Sequence, residues 1–421
     1  MYALVDCNSF FCSVEKVFNP GLRGKPVCVL SSNDGCIVAL TPEAKALGLK
    51  RGEPIFKVMD TVRLHDVRVF SGNMYLYAAM SRRVAGILRK SVHKVDVYSI
   101  DECFCDLEGY ERMHDLTEMM RGIADRIKLW TDIPVSVGVA PTRTLAKMGS
   151  KFAKQYPAYR SVCAIDTDDR RLKALKMFDL SDVWGIGRRT FEKLQFHGIR
   201  TPYDFAAKSE SWVRCNLSKP GLQTWMELNG ISCIDTETAR MNRTVCTSRS
   251  FGTMVTDLEQ LKASVASFAC SCAGKLRGQG AVCSTVTVFI SSSMFREDME
   301  QYWNSSSCTF RTPTSDSMEI VSAALDIVRS IFKPGISYKK SGVIVSDISS
   351  AAAVQQDLFS NVRNRPQRNV LMKSIDNLNH RYGPRTVRLS VEGSMQEQWR
   401  ARSEHRTPNR LTDLAEIPVV G

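Results

Sequence analysis

The stretch Val97-Tyr98-Ser99-Ile100-Asp101-Glu102-Cys103-Phe104 restricts this chain more than any other. Apolar residues flank an adjacent carboxylate pair, which reads as a buried strand with acid at its lip. Taking two neighbouring carboxylates out of water without a partner is very costly. No Lys or Arg stands close by in the sequence. A hard divalent cation meets the need, because Mg²⁺ takes one or two carboxylates and leaves its other positions to water and phosphate oxygens. The N-terminus repeats the pattern: Tyr2-Ala3-Leu4-Val5 is a short apolar run ending in Asp6. Two such strands side by side would bring Asp6 next to Asp101 and Glu102. Three carboxylates on adjacent strands suit two-metal displacement at phosphorus. The plainer alternative has Asp6 capping a turn and the pair 101–102 in surface ion pairs.

At 421 residues the chain exceeds one ordinary core, so two to four domains are expected. Its formal charge of +13 suits a polyanionic partner, nucleic acid first. The N-terminus shows no basic-then-apolar signal region, and no apolar run is long enough for a bilayer, so no membrane association is expected. The 14 cysteines include no CxxC, and only six histidines accompany them, which disfavours a structural zinc. Free thiols in a reducing cytoplasm follow.

After Asp6, Asn8 or Ser9 can cap a short helix. It carries Phe10 and Phe11, which can pack in the core or wall a nucleotide pocket. The apolar runs 27–30 and 36–40 flank Asn33-Asp34-Gly35, a hairpin turn signal. A short helix over 42–47, stopped by Gly48, makes this unit basic through Lys45, Lys50 and Arg51. Helices are expected over 75–88 and 116–129, and a strand over 135–139. In the helix from 142 to 154, Arg143, Lys147, Lys151 and Lys154 fall on one stripe and Leu145, Met148 and Phe152 on another. A cationic stripe without interleaved acids fits a phosphate ligand or a solvated face. Strand, helix, acidic strand, helix, strand, helix resembles a palm-like α+β layer.

Trp184-Gly185-Ile186-Gly187-Arg188-Arg189 between two helices is a helix–hairpin–helix signature, whose glycines expose backbone N–H groups to a phosphate. A tight helical turn is the bland alternative. Beyond a polar linker at 232–244, a βαββαβ pattern is expected, with Val286, Val288 and Ile290 alternating along one strand. From residue 351 the chain turns Arg-rich and reads as a mostly extended or weakly ordered tail. Within it Gln355-Gln356-Asp357-Leu358-Phe359 has the form of a docking peptide.

Taken together, residues 2–15, Ser99-Ile100-Asp101-Glu102, the 142–154 helix and Gly185-Ile186-Gly187 resemble a Y-family translesion DNA polymerase. Asn33-Asp34-Gly35-Cys36, the run 43–48, the run 182–189 and Ser248-Arg249-Ser250-Phe251-Gly252 narrow the resemblance to the UmuC branch, the catalytic subunits of error-prone SOS polymerases. The resemblance implies an α+β right hand: a ferredoxin-like palm at 1–20 and 76–165, small fingers at 21–75, a helical thumb at 166–235 with its helix–hairpin–helix near 182–198, a little finger at 243–350, and a basic tail at 351–421. It implies error-prone, DNA-directed synthesis past lesions in the SOS response, with dNTPs added to a primer 3′-OH by two-metal phosphoryl transfer. Asp6, Asp101, Glu102 and the Cys7 carbonyl match the ligands of two Mg²⁺ ions. Phe11 matches the steric gate that excludes a 2′-OH, with Phe10 beside it in the nucleotide pocket. Lys45 and Lys154 match triphosphate contacts. Gly185, Gly187, Arg188 and Arg189 match backbone contacts to primer-template DNA. Gln355, Leu358 and Phe359 resemble a sliding-clamp peptide. A processed UmuD-like dimer and RecA are the further partners implied, with a cytoplasmic, nucleoid-associated location. Rival readings are another palm-fold nucleotidyl transferase or cyclase, and a non-catalytic DNA- and clamp-binding recruitment factor.

Overall fold

The computed structural model describes residues 1–235, 242–296, 298–354, 365–383, 385–393, 402–408 and 411. It divides into two compact units, one of residues 1–238 with 404–421 and one of residues 239–403.

The first unit opens with β1 (Tyr2–Cys7) and α1 (Phe10–Phe18). A small three-stranded sheet follows. β2 (Val27–Leu30) and β3 (Ile37–Leu40) form the expected hairpin, and its turn places Asn33 and Asp34 at positive φ. Next come α2 (Pro42–Ala46) and α3 (Met59–Leu64), and β4 (Arg68–Ser71) returns parallel to β2. Pro at the first position of α2 and Thr41 accepting from the Ala44 N–H start that helix.

The chain then builds α4 (Met74–Ser91), β5 (Lys94–Val97), β6 (Glu102–Asp106), α5 (Leu116–Thr131), β7 (Val135–Ala140), α6 (Arg143–Gln155) and β8 (Val162–Ala164). Their sheet has the order β5-β6-β1-β7-β8. Alternation along β1 sends Ala3, Val5 and Cys7 to the face packed by α4 and α5. Leu4 goes to the face of α6, together with Phe104. α6 lies hard against β7 because position 138 is glycine: a Cβ there would collide with the Ala146 carbonyl and the Ser150 N–H.

One expectation is corrected here. Residues 97–104 are not one buried strand. β5 stops at Val97, a tight turn follows, and β6 starts at Glu102. The N–H groups of Tyr98 and Ser99 both donate to the Glu102 carbonyl at 3.1 Å. The Ser99 hydroxyl accepts from the Asp101 and Glu102 N–H groups, so a local side-chain bond outcompetes the strand ladder.

Five further helices follow in this unit: α7 (Asp168–Met177), α8 (Arg188–Phe196), α9 (Pro202–Ala206), α10 (Glu210–Asn216) and α11 (Lys219–Leu228). Their apolar faces share one core with α6.

The second unit runs β9 (Thr244–Val255), α12 (Leu258–Gly278), β10 (Ala281–Ser291), β11 (Trp303–Thr314), α13 (Ser317–Ile331) and β12 (Tyr338–Ser350), in sheet order β11-β10-β12-β9. This is the expected βαββαβ arrangement. The tail departs from expectation: α14 (Arg365–Tyr382) folds onto this unit. Arg277 makes two 2.7 Å bonds to the Asp376 carboxylate, Arg368 pairs with Asp316 at 2.8 Å, and Met372 is buried. Forked Arg–carboxylate bonds tie this helix down while Val370, Leu371 and Leu378 stay exposed, which is why hydrophobic density concealed it.

Candidate active site

The antiparallel register of β1 with β6 sets Asp6 opposite Glu102, two positions beyond the pair Leu4 and Phe104 and so on the same face. Both acids therefore lie on the face covered by α6. Asp101 sits in the turn before β6, where its carbonyl accepts from the Cys7 N–H at 2.9 Å and its carboxylate accepts from the Ser99 hydroxyl at 2.6 Å. Ser99 is thus a turn-locking residue whose role periodicity could not give. The side chain of Cys7 itself points into the core on the α4 and α5 side.

α6 answers these acids. The Lys147 ammonium donates to Glu102 at 2.8 Å, and that of Lys154 donates to Asp6 at 3.1 Å. Burial pushes the Asp6 carboxyl up from its ordinary range, against the opposing pull of Lys154. Arg143 and Lys151 are not part of any free cationic stripe. Arg143 is buried, bonded to Asp96 at 3.0 Å and placed 5.1 Å from the rings of Tyr2 and Phe104. Lys151 is paired with Asp182. The sequence reading of a stripe without partnering acids missed carboxylates contributed by other elements.

Among the described residues, no group of three or more His, Cys, Asp or Glu side chains closes into a metal cage. The donor set is nonetheless of the right kind. It consists of hard carboxylate oxygens at two adjoining strand ends. Mg²⁺ is commonly held by one or two carboxylates together with substrate phosphates rather than by an all-protein cage.

Directly after β1, α1 contributes to an aromatic wall. Phe10 is buried. Phe11 is half-buried and stacks on Tyr77 with centroids 4.5 Å apart and planes 16° apart. The buried Tyr77 hydroxyl donates to the Glu15 carboxylate at 2.6 Å, and burial together with that carboxylate keeps the phenol protonated. Lys45 is exposed on α2.

On the other side, Trp184 meets Tyr98 edge-on at 5.6 Å, and the Lys147 ammonium lies 4.6 Å and 5.2 Å from these two rings. Gly185 has φ +94°, and a Cβ there would collide with the Thr224 hydroxyl, so both backbone and space demand glycine. Gly187 precedes α8 without a side-chain cap, and Arg188 and Arg189 are exposed at its first turn. Gln355, Leu358 and Phe359 lie outside the described residues.

Comparison with known proteins fits this architecture. Residues 5–151 match the impB/mucB/samB family, residues 242–358 match its C-terminal domain, and residues 369–420 match a domain of unknown function (DUF4113). The UmuC protein of Salmonella typhimurium is 38% identical, with 99% of each chain covered. ImpB of the same organism is 38% identical over 100% of this chain and 99% of its own. DNA polymerase IV 1 of Bacillus subtilis is 26% identical over 91% of each chain. Among solved structures, a chimera of the Y-family polymerases Dbh and Dpo4 superposes with a TM-score of 0.65 at 23% identity, covering 83% of this chain and 99% of that one. The fold is accordingly that of a Y-family DNA polymerase. Within that class the chain belongs to the impB/mucB/samB family, on the UmuC-like branch. No helix among the described residues is long and apolar enough to cross a membrane.

Proposed function

We propose that Asp6, Asp101 and Glu102 carry the nucleotidyl transfer of this error-prone translesion DNA polymerase. The observation behind this assignment is the β1–β6 register, which sets Asp6 across from Glu102 with Asp101 in the adjoining turn. Together with the Cys7 carbonyl they would hold two Mg²⁺ ions. Such ions, when bound, acidify the attacking primer hydroxyl and offset charge on the departing pyrophosphate. The chain's own part is positioning. Ser99 fixes the Asp101 carboxylate. Lys154 and Lys45 take the triphosphate charge, Lys154 from beside Asp6. The Phe11 ring, with Phe10 behind it, bars a 2′-hydroxyl.

In domain terms we assign palm to 1–20 and 76–165, fingers to 21–75, thumb to 166–235 and little finger to 243–350. Gly185, Gly187, Arg188 and Arg189 would hold the DNA backbone, an affinity that should weaken steeply with salt. The peptide with Gln355, Leu358 and Phe359 would engage a sliding clamp, and a UmuD-like dimer and RecA complete the cytoplasmic assembly. These partner assignments are supported by the sequence resemblance.

The test is primer extension on a lesion-containing template, with full-length chain, Mg²⁺ and four dNTPs. Asp101→Ala should cut extension by roughly a hundredfold or more. Undiminished extension by that variant would remove the assignment.

A further inference from the structure

We propose that the C-terminal segment 404–407 is a positioning strap for the sugar-selecting ring, so that discrimination against ribonucleotides depends on the far end of the chain. The inference rests on the reading of Phe11 as the ring that meets the sugar. It gives one task to a region that matches a domain of unknown function.

The chain leaves the first unit at residue 239 and rejoins it at Glu404. From there it is tied down at successive points. The Glu404 N–H donates to Asp34 in the β2–β3 turn at 2.9 Å. His405 and Ser71 bond reciprocally: the Ser71 N–H donates to the His405 carbonyl at 3.0 Å, and the His405 N–H donates to the Ser71 hydroxyl at 2.9 Å. Asn73 caps α4 by accepting from the Leu76 N–H, and its amide nitrogen donates to the Thr407 carbonyl at 2.8 Å. The Arg406 guanidinium lies 5.7 Å from the Tyr75 ring. Further on, Leu411 packs against the core beneath α4 and α5.

The last tie reaches the gate. The Thr407 hydroxyl donates to the Glu15 carboxylate at 3.2 Å, on the same oxygen that accepts from Tyr77. Glu15 is only 1% exposed, and a carboxylate buried that deeply must have its donors supplied by the fold. The relay therefore runs from Thr407 through Glu15 to Tyr77, and the Tyr77 ring is the floor on which Phe11 stacks. A half-buried ring resists a 2′-hydroxyl only as firmly as its floor is fixed. Releasing Thr407 removes a donor from that Glu15 oxygen and lets the floor tilt. The hydrogen bonds of Thr407 go to Glu15 and Asn73, not to Asp6, Asp101, Glu102, Lys147 or Lys154, so its effect should fall on sugar choice and not on rate.

The experiment compares full-length wild type with Thr407→Val, Thr407→Ser and Phe11→Ala, measuring kcat/KM for a dNTP and its matching rNTP. Loss of one hydrogen bond to a charged group should raise ribonucleotide use by about tenfold in Thr407→Val. Its dNTP efficiency should stay within about threefold, and Thr407→Ser, which keeps the hydroxyl, should behave as wild type. Phe11→Ala should admit ribonucleotides most freely. If Phe11→Ala leaves sugar choice untouched, the gate assignment fails and the strap's role fails with it. If Phe11→Ala admits ribonucleotides and Thr407→Val does not, the strap alone is overturned. Hydrogen exchange gives a readout independent of synthesis. The Ser71 and His405 amides should be protected in the full chain, and free exchange at both would also overturn the docking.

Discussion

Arg143 shows how much a single residue depends on elements distant in sequence. Its guanidinium is buried, bonded to Asp96 on β5 and framed by the rings of Tyr2 and Phe104. Removing one partner of a buried ion pair leaves the other charge stranded. Arg143→Ala should therefore destabilise the first unit by about 3 kcal/mol, read as a lower urea midpoint. A solvated arginine would cost almost nothing. Its spacing with Lys147, Lys151 and Lys154 was visible in the sequence; its burial was not, because Asp96 and Asp182 stand on other elements. Asp6 and Glu102 were legible for the opposite reason. Asp6 closes a short apolar run and Glu102 stands beside one, while the strand start at Glu102 itself lay hidden because 97–104 reads as continuous. Ser99 belongs to the acidic motif, yet turn-locking is a three-dimensional property that no period reports.

Among elements, α6 is fastened at its start by a residue far along the chain. Glu227, fully buried on α11, accepts from the Thr144 N–H at 2.9 Å, and from the N–H groups of Cys233 and Ile234 at 2.9 and 3.2 Å. A carboxylate at a helix N-terminus is favoured by the exposed N–H groups there. Its carbonyl also accepts from the Thr142 hydroxyl at 2.9 Å. Glu227→Ala would leave the buried Thr144 N–H and the part-buried N–H groups of Cys233 and Ile234 without that acceptor, a cost of about 3 kcal/mol in thermal or urea unfolding. It should also lower synthesis, because α6 carries Lys147 and Lys154 to the acids. Wild-type stability in this variant would show that α6 does not depend on the tie. The β2–β3 hairpin, the main palm-like helices and strands and the βαββαβ order were readable from periodicity and turn residues. α3, β4, β8, α9, α10, α11 and α14 were not: most are short, β4 is half exposed, and α14 is tied by Arg277–Asp376 and Arg368–Asp316.

At the scale of the whole molecule, the thiols are spread through both units, and most are buried. Burial pushes Cys103 and Cys163 up to about 11, and Cys28 and Cys283 up to about 12, from an ordinary value of 9.0. An unfolded chain would ionise these groups near pH 9 while the folded chain keeps them protonated. The folded state then binds more protons, so stability is full below about pH 8 and falls as pH rises through about 9 towards 11. The urea midpoint should drop between about pH 8 and pH 10, and less steeply when Cys28 and Cys283 are both Ala. A flat profile would contradict the burial. Under neutral conditions a thiol reagent should mark the exposed Cys215 and Cys246 first.

The pairing of β1 with β6 carries one last consequence. Side chains alternate across a sheet, so the face on which Asp6 and Glu102 meet is decided by parity. Deleting one residue from the turn at 98–100 would turn every odd position of the returning strand into an even one. Glu102 would then be carried through the sheet, away from Asp6 and from both lysines. The chemistry is written less in the identity of the acids than in an integer, the number of residues between two strand ends.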